Sequence, residues 1–163
     1  MARPTIAKAV PSDPVIEGSP EFIIDMGNAL ALLRDKSPEH YSKVRKYIRL
    51  VKLSDSLQDN TAGGEVTLEG NIHINRRAYE LYRKHPKNPF PIRVLVHEAQ
   101  HMERDEKAGR IVVGEETERE ALAAERDMLR ALGVSQDVIE KVAGEQLLLK
   151  RWWENPATST PDP

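Results

Sequence analysis

The chain has 163 residues, of which 39% are hydrophobic and 31% charged, and this length and composition suit one compact domain with a modest core. Its 24 basic and 26 acidic residues give a formal charge of -2, and the basic residues are scattered, so nucleic acid is not an expected partner. Cysteine is absent, which excludes disulfides, thiolate metal clusters and cysteine nucleophiles, and leaves imidazole and carboxylate as metal ligands.

The ends of the chain differ from its middle. No apolar segment approaches the roughly 20 residues that span a bilayer, and the N-terminus lacks the apolar run of a cleaved signal peptide. We therefore expect a cytoplasmic protein with no membrane partner. Secretion by a route that does not use a cleaved signal remains an alternative. Residues 1–18 and 155–163 are predicted to be flexible tails around a single domain at residues 19–154.

Two helices and a hairpin are predicted in the first half of the chain. Ser19 and Ser37 each precede a proline. A serine hydroxyl that caps a helix, followed by proline at the first helical position, is a common helix start, so this pattern predicts helices over about 20–34 and about 38–53. Apolar and polar residues then alternate on both sides of Glu69-Gly70-Asn71, which predicts a β-hairpin. A three-residue loop would give this hairpin one apolar face, made by Val66, Leu68, Ile72 and Ile74.

Four further helices are predicted in the second half. Asn75 and Ser135 can cap the first and the last of them, and glycines follow the second and the third, where glycine commonly ends a helix. The four helices are expected over about 76–84, 90–107, 115–132 and 136–153. The predicted fold class is therefore α+β, mostly helical with a small β-hairpin or sheet beside the helix at 90–107.

The candidate chemistry lies on that helix, in the segment His97-Glu98-Ala99-Gln100-His101. The i, i+4 spacing puts both imidazoles on one helix face, where their nitrogens can bind a single zinc ion. Glu98 emerges beside that face and can take the proton of a zinc-bound water as the water attacks a carbonyl. The alternative is a surface histidine pair with an incidental glutamate, and the apolar Val94-Leu95-Val96 before the motif favours the metal site.

A catalytic zinc ion usually has a third protein ligand, and the helix predicted at about 115–132 is rich in acids. Glu118 shares with Glu125 the helix face that must be partly buried, so we predict Glu118 as the third ligand, with Glu120 as the second choice. Glu125 could accept a hydrogen bond from the far nitrogen of a liganding histidine, or pair with a neighbour such as Arg126.

Two other zinc patterns are excluded. Arg104 and Lys107 occupy the glycine and histidine positions expected after His-Glu-x-x-His-x-x-Gly, and the inverted His-x-x-Glu-His order is absent. Asp105 lies one turn beyond His101 and is expected to face solvent, because three ligands along one straight helix cannot easily converge on one ion.

With these residues the chain resembles the gluzincin branch of the zincin-like metallopeptidases, in which His-Glu-x-x-His is followed on a later helix by Glu-x-x-Ala. The matching segment is Glu118-Arg119-Glu120-Ala121. The resemblance covers roughly residues 64–132. In this region the chain is similar to minimal gluzincins and, more loosely, to the ImmA/IrrE-type peptidases. The chain departs from several of these families in two ways. It has Leu122 where they have Asp or Asn, and it lacks a recognisable helix-turn-helix segment.

The resemblance implies a zincin-like fold, a bound Zn2+ ion and hydrolysis of a polypeptide substrate. It also implies that the strand Ile72–Asn75 lies at the rim of the cleft and pairs with an extended substrate, where His73 could reach the oxyanion, although a strand histidine is commonly just exposed. A non-catalytic protein-binding module and a toxin-like or regulatory protease with one specific partner are the alternatives. Glu98 favours the enzyme, because a structural zinc site needs no carboxylate beside an open position.

Overall fold

A computed structural model describes residues 12–55, 64–67, 69–84 and 90–141. In chain order these residues form β1 (Val15–Glu17), α1 (Pro20–Lys36), α2 (Pro38–Tyr47), β2 (Leu50–Ser54), β3 (Gly64–Val66), β4 (Asn71–Asn75), α3 (Arg76–Lys84), α4 (Phe90–Ala108) and α5 (Glu115–Ala131). Residues 136–141 are also helical. The fold is α+β and mostly helical with one small sheet, as predicted. No helix in the described ranges is both long enough and apolar enough to cross a bilayer.

The four strands form a mixed sheet in the order β1-β2-β4-β3. Strands β1 and β4 both pair with β2 in parallel, whereas β3 and β4 form the antiparallel hairpin. Helices α1 and α2 connect β1 to β2 and provide the crossover that parallel strands require. Alternate residues of the two central strands enter the core, namely Val51, Leu53, Ile72 and Ile74.

Helix α4 contacts α1, α2, α3 and α5, so it is held on several sides. Its residues Leu95, Val96 and Ala99 are fully buried and belong to the same core as Phe22 and Met26 of α1. Because a closely packed core fixes the rotation of a helix about its axis, the remaining faces of α4 are held in defined directions. The face toward α5 carries the histidine motif.

The helix boundaries follow local capping signals. Ser19 accepts a hydrogen bond from the Phe22 N–H at 3.3 Å at the start of α1, and Asn75 accepts one from the Ala78 N–H at 3.2 Å at the start of α3. Gly109, with φ of 66°, directly follows α4. These predicted boundaries are confirmed to within two residues.

The prediction of one helix over about 38–53 was wrong in its second half. Helix α2 ends at Tyr47, the next residue, Ile48, is already extended (φ -97°, ψ 124°), and Leu50–Ser54 is strand β2. The apolar residues of this segment fit both a helical spacing and a strand alternation. Pairing with β1 and β4 on both sides of β2 decides for the strand, and these partners are distant in sequence.

The predicted N-terminal boundary also differs from the structure. Residues Val15–Glu17 fall inside the segment 1–18 predicted as a tail, but they form β1 and pair with residues 50–52. Three residues are too few to show an alternation, so only the pairing reveals this strand. Predictions that lie outside the described residues concern residues 1–11, Leu68, 85–89 and 142–163.

The predicted hairpin is present with a different register. Val66 lies opposite Ile72, instead of opposite Ile74 as a loop at residues 69–71 requires. The turn keeps three residues but begins one residue earlier than predicted, because the Thr67 N–H donates to the Asn71 carbonyl at 2.9 Å. Since side chains alternate with a period of two, this two-residue shift keeps Ile72 and Ile74 on the predicted apolar face, and both are fully buried.

Gly70 packs the hairpin turn against the end of α2, and its replacement should be costly. Its φ is +83°, and a Cβ built on it would overlap the carbonyl oxygen of Tyr47, whereas Gly109, with φ of +66°, has nothing within 4 Å of such a Cβ among the described residues. Placing a non-glycine L-residue in the left-handed backbone conformation lowers the free energy of unfolding by about 1–2 kcal/mol. We expect Gly109→Ala to lose about this amount and Gly70→Ala to lose clearly more. Urea unfolding measures both, and equal losses would show that the Tyr47 carbonyl moves aside.

Candidate metal centre

Two helices supply the candidate ligands. Helix α4 presents His97 and His101 one turn apart, with ring centroids 4.7 Å from each other. Helix α5 packs against α4 and carries Glu118 in its first turn. Gly109 and Gly114, with φ of 66° and 140°, bracket the connection and let the chain reverse within a few residues.

The three side chains converge on one point. His97 Nε2 lies 3.0 Å from His101 Nε2, and the Glu118 carboxylate lies 3.4 Å from the first nitrogen and 3.2 Å from the second. A tetrahedral zinc ion with bonds of about 2.0–2.2 Å separates its ligand atoms by about 3.3–3.6 Å. The observed separations lie at or slightly below this range, so the three side chains could close around one small ion. In the part of the chain that the structure describes, this is the one group of three His, Asp or Glu side chains with ligand atoms within 4.8 Å of one another.

The site is closed on one side and open on the other. The His97 side chain is 8% exposed, whereas those of His101 and Glu118 are 18% and 24% exposed. A structural zinc site is closed by protein ligands, whereas a catalytic site keeps a position accessible for water and substrate. The partial exposure of two of the three candidate ligands suits the second kind.

A buried ion pair orients His97. One Glu125 oxygen lies 2.6 Å from His97 Nδ1, and the other lies 2.9 Å from Arg93 Nε. Burial raises the pKa of Glu125, but the hydrogen bond with His97 and the Arg93 charge outweigh it and bring the pKa below its usual value. The ionised carboxylate can only accept hydrogen bonds, so His97 carries its proton on Nδ1 and directs the Nε2 lone pair toward His101 and Glu118.

Of the two acids considered for the third ligand, the structure brings only Glu118 to the histidines. Glu120 accepts a hydrogen bond from Arg104 Nη1 at 2.8 Å instead. Side chains two positions apart on a helix point about 200° apart around its axis, so Glu118 and Glu120 cannot share one face. Glu125 lies against His97 and Arg93, the first of its two predicted arrangements.

Glu98 is half-buried and lies one residue after His97 on α4. One residue turns the side chain by about 100°, so the carboxylate leaves α4 beside the face that carries the two imidazoles. Helical geometry thus keeps Glu98 beside the candidate ligands, and its role as general base stays a prediction.

Comparisons with known proteins add no family to this description. No family model, curated protein or solved structure matches the chain. The resemblance to gluzincins therefore stays a prediction that depends on the motif residues, and the function has to be argued from the site itself.

The expectation that Ile72–Asn75 pairs with a substrate was wrong. Strand β4 lies between β2 and β3 and is paired on both sides, so it offers no free edge for strand addition. His73 lies opposite Lys52 on one side and Glu65 on the other. This pairing does not decide whether His73 reaches an oxyanion, and that role stays a prediction.

The roles of two residues near the site were not predicted from the sequence. Arg93 is 5% exposed although it is charged, and Asp105, expected to face solvent, is half-buried and accepts a hydrogen bond from the Val112 N–H at 2.8 Å. Arg93 stands in the apolar segment Ile92–Val96, one turn before His97, and a charge in such a segment signals a buried partner. Asp105 has no comparable sequence signal, because its acceptor role depends on the loop that folds back over α4.

Proposed function

We propose that this chain is a zinc-dependent hydrolase of peptide bonds with a zincin-like fold, in which His97, His101 and Glu118 hold the ion. The convergence of their ligand atoms, with separations of 3.0 to 3.4 Å, is the observation that carries the proposal. Two imidazoles and one carboxylate with an accessible side are a ligand set of catalytic zinc in hydrolases.

Each residue has a role that follows from its position. Zinc in such a site supplies Lewis acidity, which polarises a carbonyl and makes water acidic enough to lose a proton near neutral pH. Glu98 takes that proton as the water oxygen bonds to the scissile carbonyl carbon. When the C–N bond breaks, Glu98 returns the proton to the amine that leaves. Glu125 and Arg93 keep the His97 ring in the tautomer and orientation that ion binding requires.

Peptide bonds are the proposed target for two reasons. Ala121 is fully buried one turn after Glu118, so the Glu-x-x-Ala segment has the helical setting that the gluzincin resemblance implies. Strand β3 is an edge of the sheet, and the Thr67 that follows it borders a cavity that His101 also borders. An extended polypeptide paired with β3 would therefore pass beside the candidate ligands.

The test compares wild type with Glu98→Gln after identical purification without a tag. We expect mass spectrometry to find one zinc ion per chain in both proteins, and cleavage of an unstructured protein to fall about 10²–10⁴-fold in the variant, because the proton acceptor is lost. Glu116→Gln is the matched control, since its side chain is 81% exposed, and it should cleave like wild type.

The outcomes separate the alternatives. No zinc in either protein, even after zinc is added, would refute the metal site. Zinc in both without cleavage by wild type would refute the hydrolase and favour a protein-binding module. Equal cleavage by wild type and Glu98→Gln would remove Glu98 from the mechanism.

A further inference from the structure

A cavity of about 500 Å³ begins at His101 and follows the C-terminal half of α4. Met102 of α4, Ile111 of the following loop and Tyr47 of α2 contribute apolar surface to its walls. The volume lies in the range of pockets that hold a small-molecule ligand, so the cavity has room for one long side chain. Because His101 is a candidate zinc ligand, a side chain in this cavity would belong to a residue next to the bond that is cleaved.

Two carboxylates border this cavity, and they differ in their partners. Glu106 is paired with Lys46 at 2.6 Å and also accepts a hydrogen bond from the Tyr47 hydroxyl, so its charge is balanced. Asp105 accepts a hydrogen bond from the Val112 N–H at 2.8 Å, and among the described residues no cation pairs with it. The cavity therefore combines apolar walls with one negative charge that lacks a counter-ion in this part of the chain.

We propose that the cavity binds a lysine or arginine side chain of the substrate, an inference that depends on the proposed function. The aliphatic stem would pack against Met102 and Ile111, and the cationic end would lie at Asp105. Ile111 is 57% exposed, so an occupying side chain would also cover apolar surface. A purely apolar side chain would desolvate Asp105 without replacing its water, and an acidic one would be repelled.

The test measures binding apart from cleavage. Glu98→Gln protein loaded with zinc is titrated with labelled peptides that differ at one residue, which is lysine, norleucine or glutamate. Norleucine keeps the stem of lysine and removes its charge. We expect the lysine peptide to bind about tenfold more tightly than the norleucine peptide, the lower end for a hydrogen bond to a charged group, and the glutamate peptide to bind weakest. Fluorescence anisotropy gives the three Kd values.

A second substitution assigns the preference to Asp105. Asp105→Asn keeps an oxygen for the Val112 N–H and removes the charge, so the loop is retained while the lysine preference should disappear. Asp127→Asn removes an equal charge from an exposed position and should keep the preference.

The results distinguish this inference from the proposed function. Equal binding of the lysine and norleucine peptides, or a lysine preference that survives Asp105→Asn, would overturn the inference while cleavage by the wild type still supported the hydrolase. A lysine preference that depends on Asp105, in a chain whose wild type cleaves nothing, would support the cavity as a basic-residue site and refute the hydrolase.

Discussion

Replacing Glu118 with glutamine is expected to weaken zinc binding strongly, whereas the same replacement at Glu120 should leave it unchanged. The two acids lie on the same helix, but only Glu118 lies within 3.2 and 3.4 Å of the two histidine Nε2 atoms. Loss of a residue that only supports a ligand typically costs about 10–100-fold in metal affinity, and loss of a ligand should cost at least as much. Glu120 is bound to Arg104 instead.

Competition with a coloured chelator measures both zinc affinities on proteins purified in parallel. Equal affinities for wild type and Glu118→Gln would show that the carboxylate is not a ligand. A loss in Glu120→Gln alone would mean that α5 is rotated relative to the arrangement described above. Retained helical circular dichroism in both variants is the control for folding.

Replacing Arg93 with methionine is expected to destabilise the fold by about 3–5 kcal/mol, the typical result of removing one partner of a buried ion pair. Arg93 and Glu125 are 5% and 2% exposed, and their charges lie 2.9 Å apart. The substitution leaves a carboxylate in a place where water cannot solvate it. Adding Glu125→Gln removes that charge, so the double variant should lose less than the sum of the two single losses.

Urea unfolding in the presence of a chelator measures these free energies without a contribution from bound metal. The pair Arg130–Asp127 is the matched control, because both side chains are more than half exposed and the ion pair is 3.0 Å long. Arg130→Met should cost less than about 1 kcal/mol. A similarly small loss for Arg93→Met, or strictly additive losses in the double variant, would contradict the buried pair.

Local signals in the sequence were sufficient for the helices that carry the site. The bounds of α3, α4 and α5 follow from an asparagine cap, from glycines after two of the helices and from apolar residues at helical spacing, all of which act within a few residues. The proximity of His97 and His101 follows from the helical repeat alone. The choice of Glu118 over Glu120 also followed from the repeat, because only one of the two faces could turn toward α4.

Tertiary contacts decided the features that depend on residues far apart in the chain. Residues 50–54 are a strand because β1 and β4 flank them, and β4 has no free edge because β3 covers it. Arg93 is buried because Glu125 meets it across α4 and α5, at a separation of 32 residues.

The sequence by itself therefore determined the α+β class, the helices and the histidine motif, since hydrogen bonding within a helix and apolar periodicity are local properties. The tertiary structure decided the sheet order, the ion pair behind His97 and the cavity beside His101. Each of these depends on the free energy of bringing together segments from different parts of the chain, which no local pattern records.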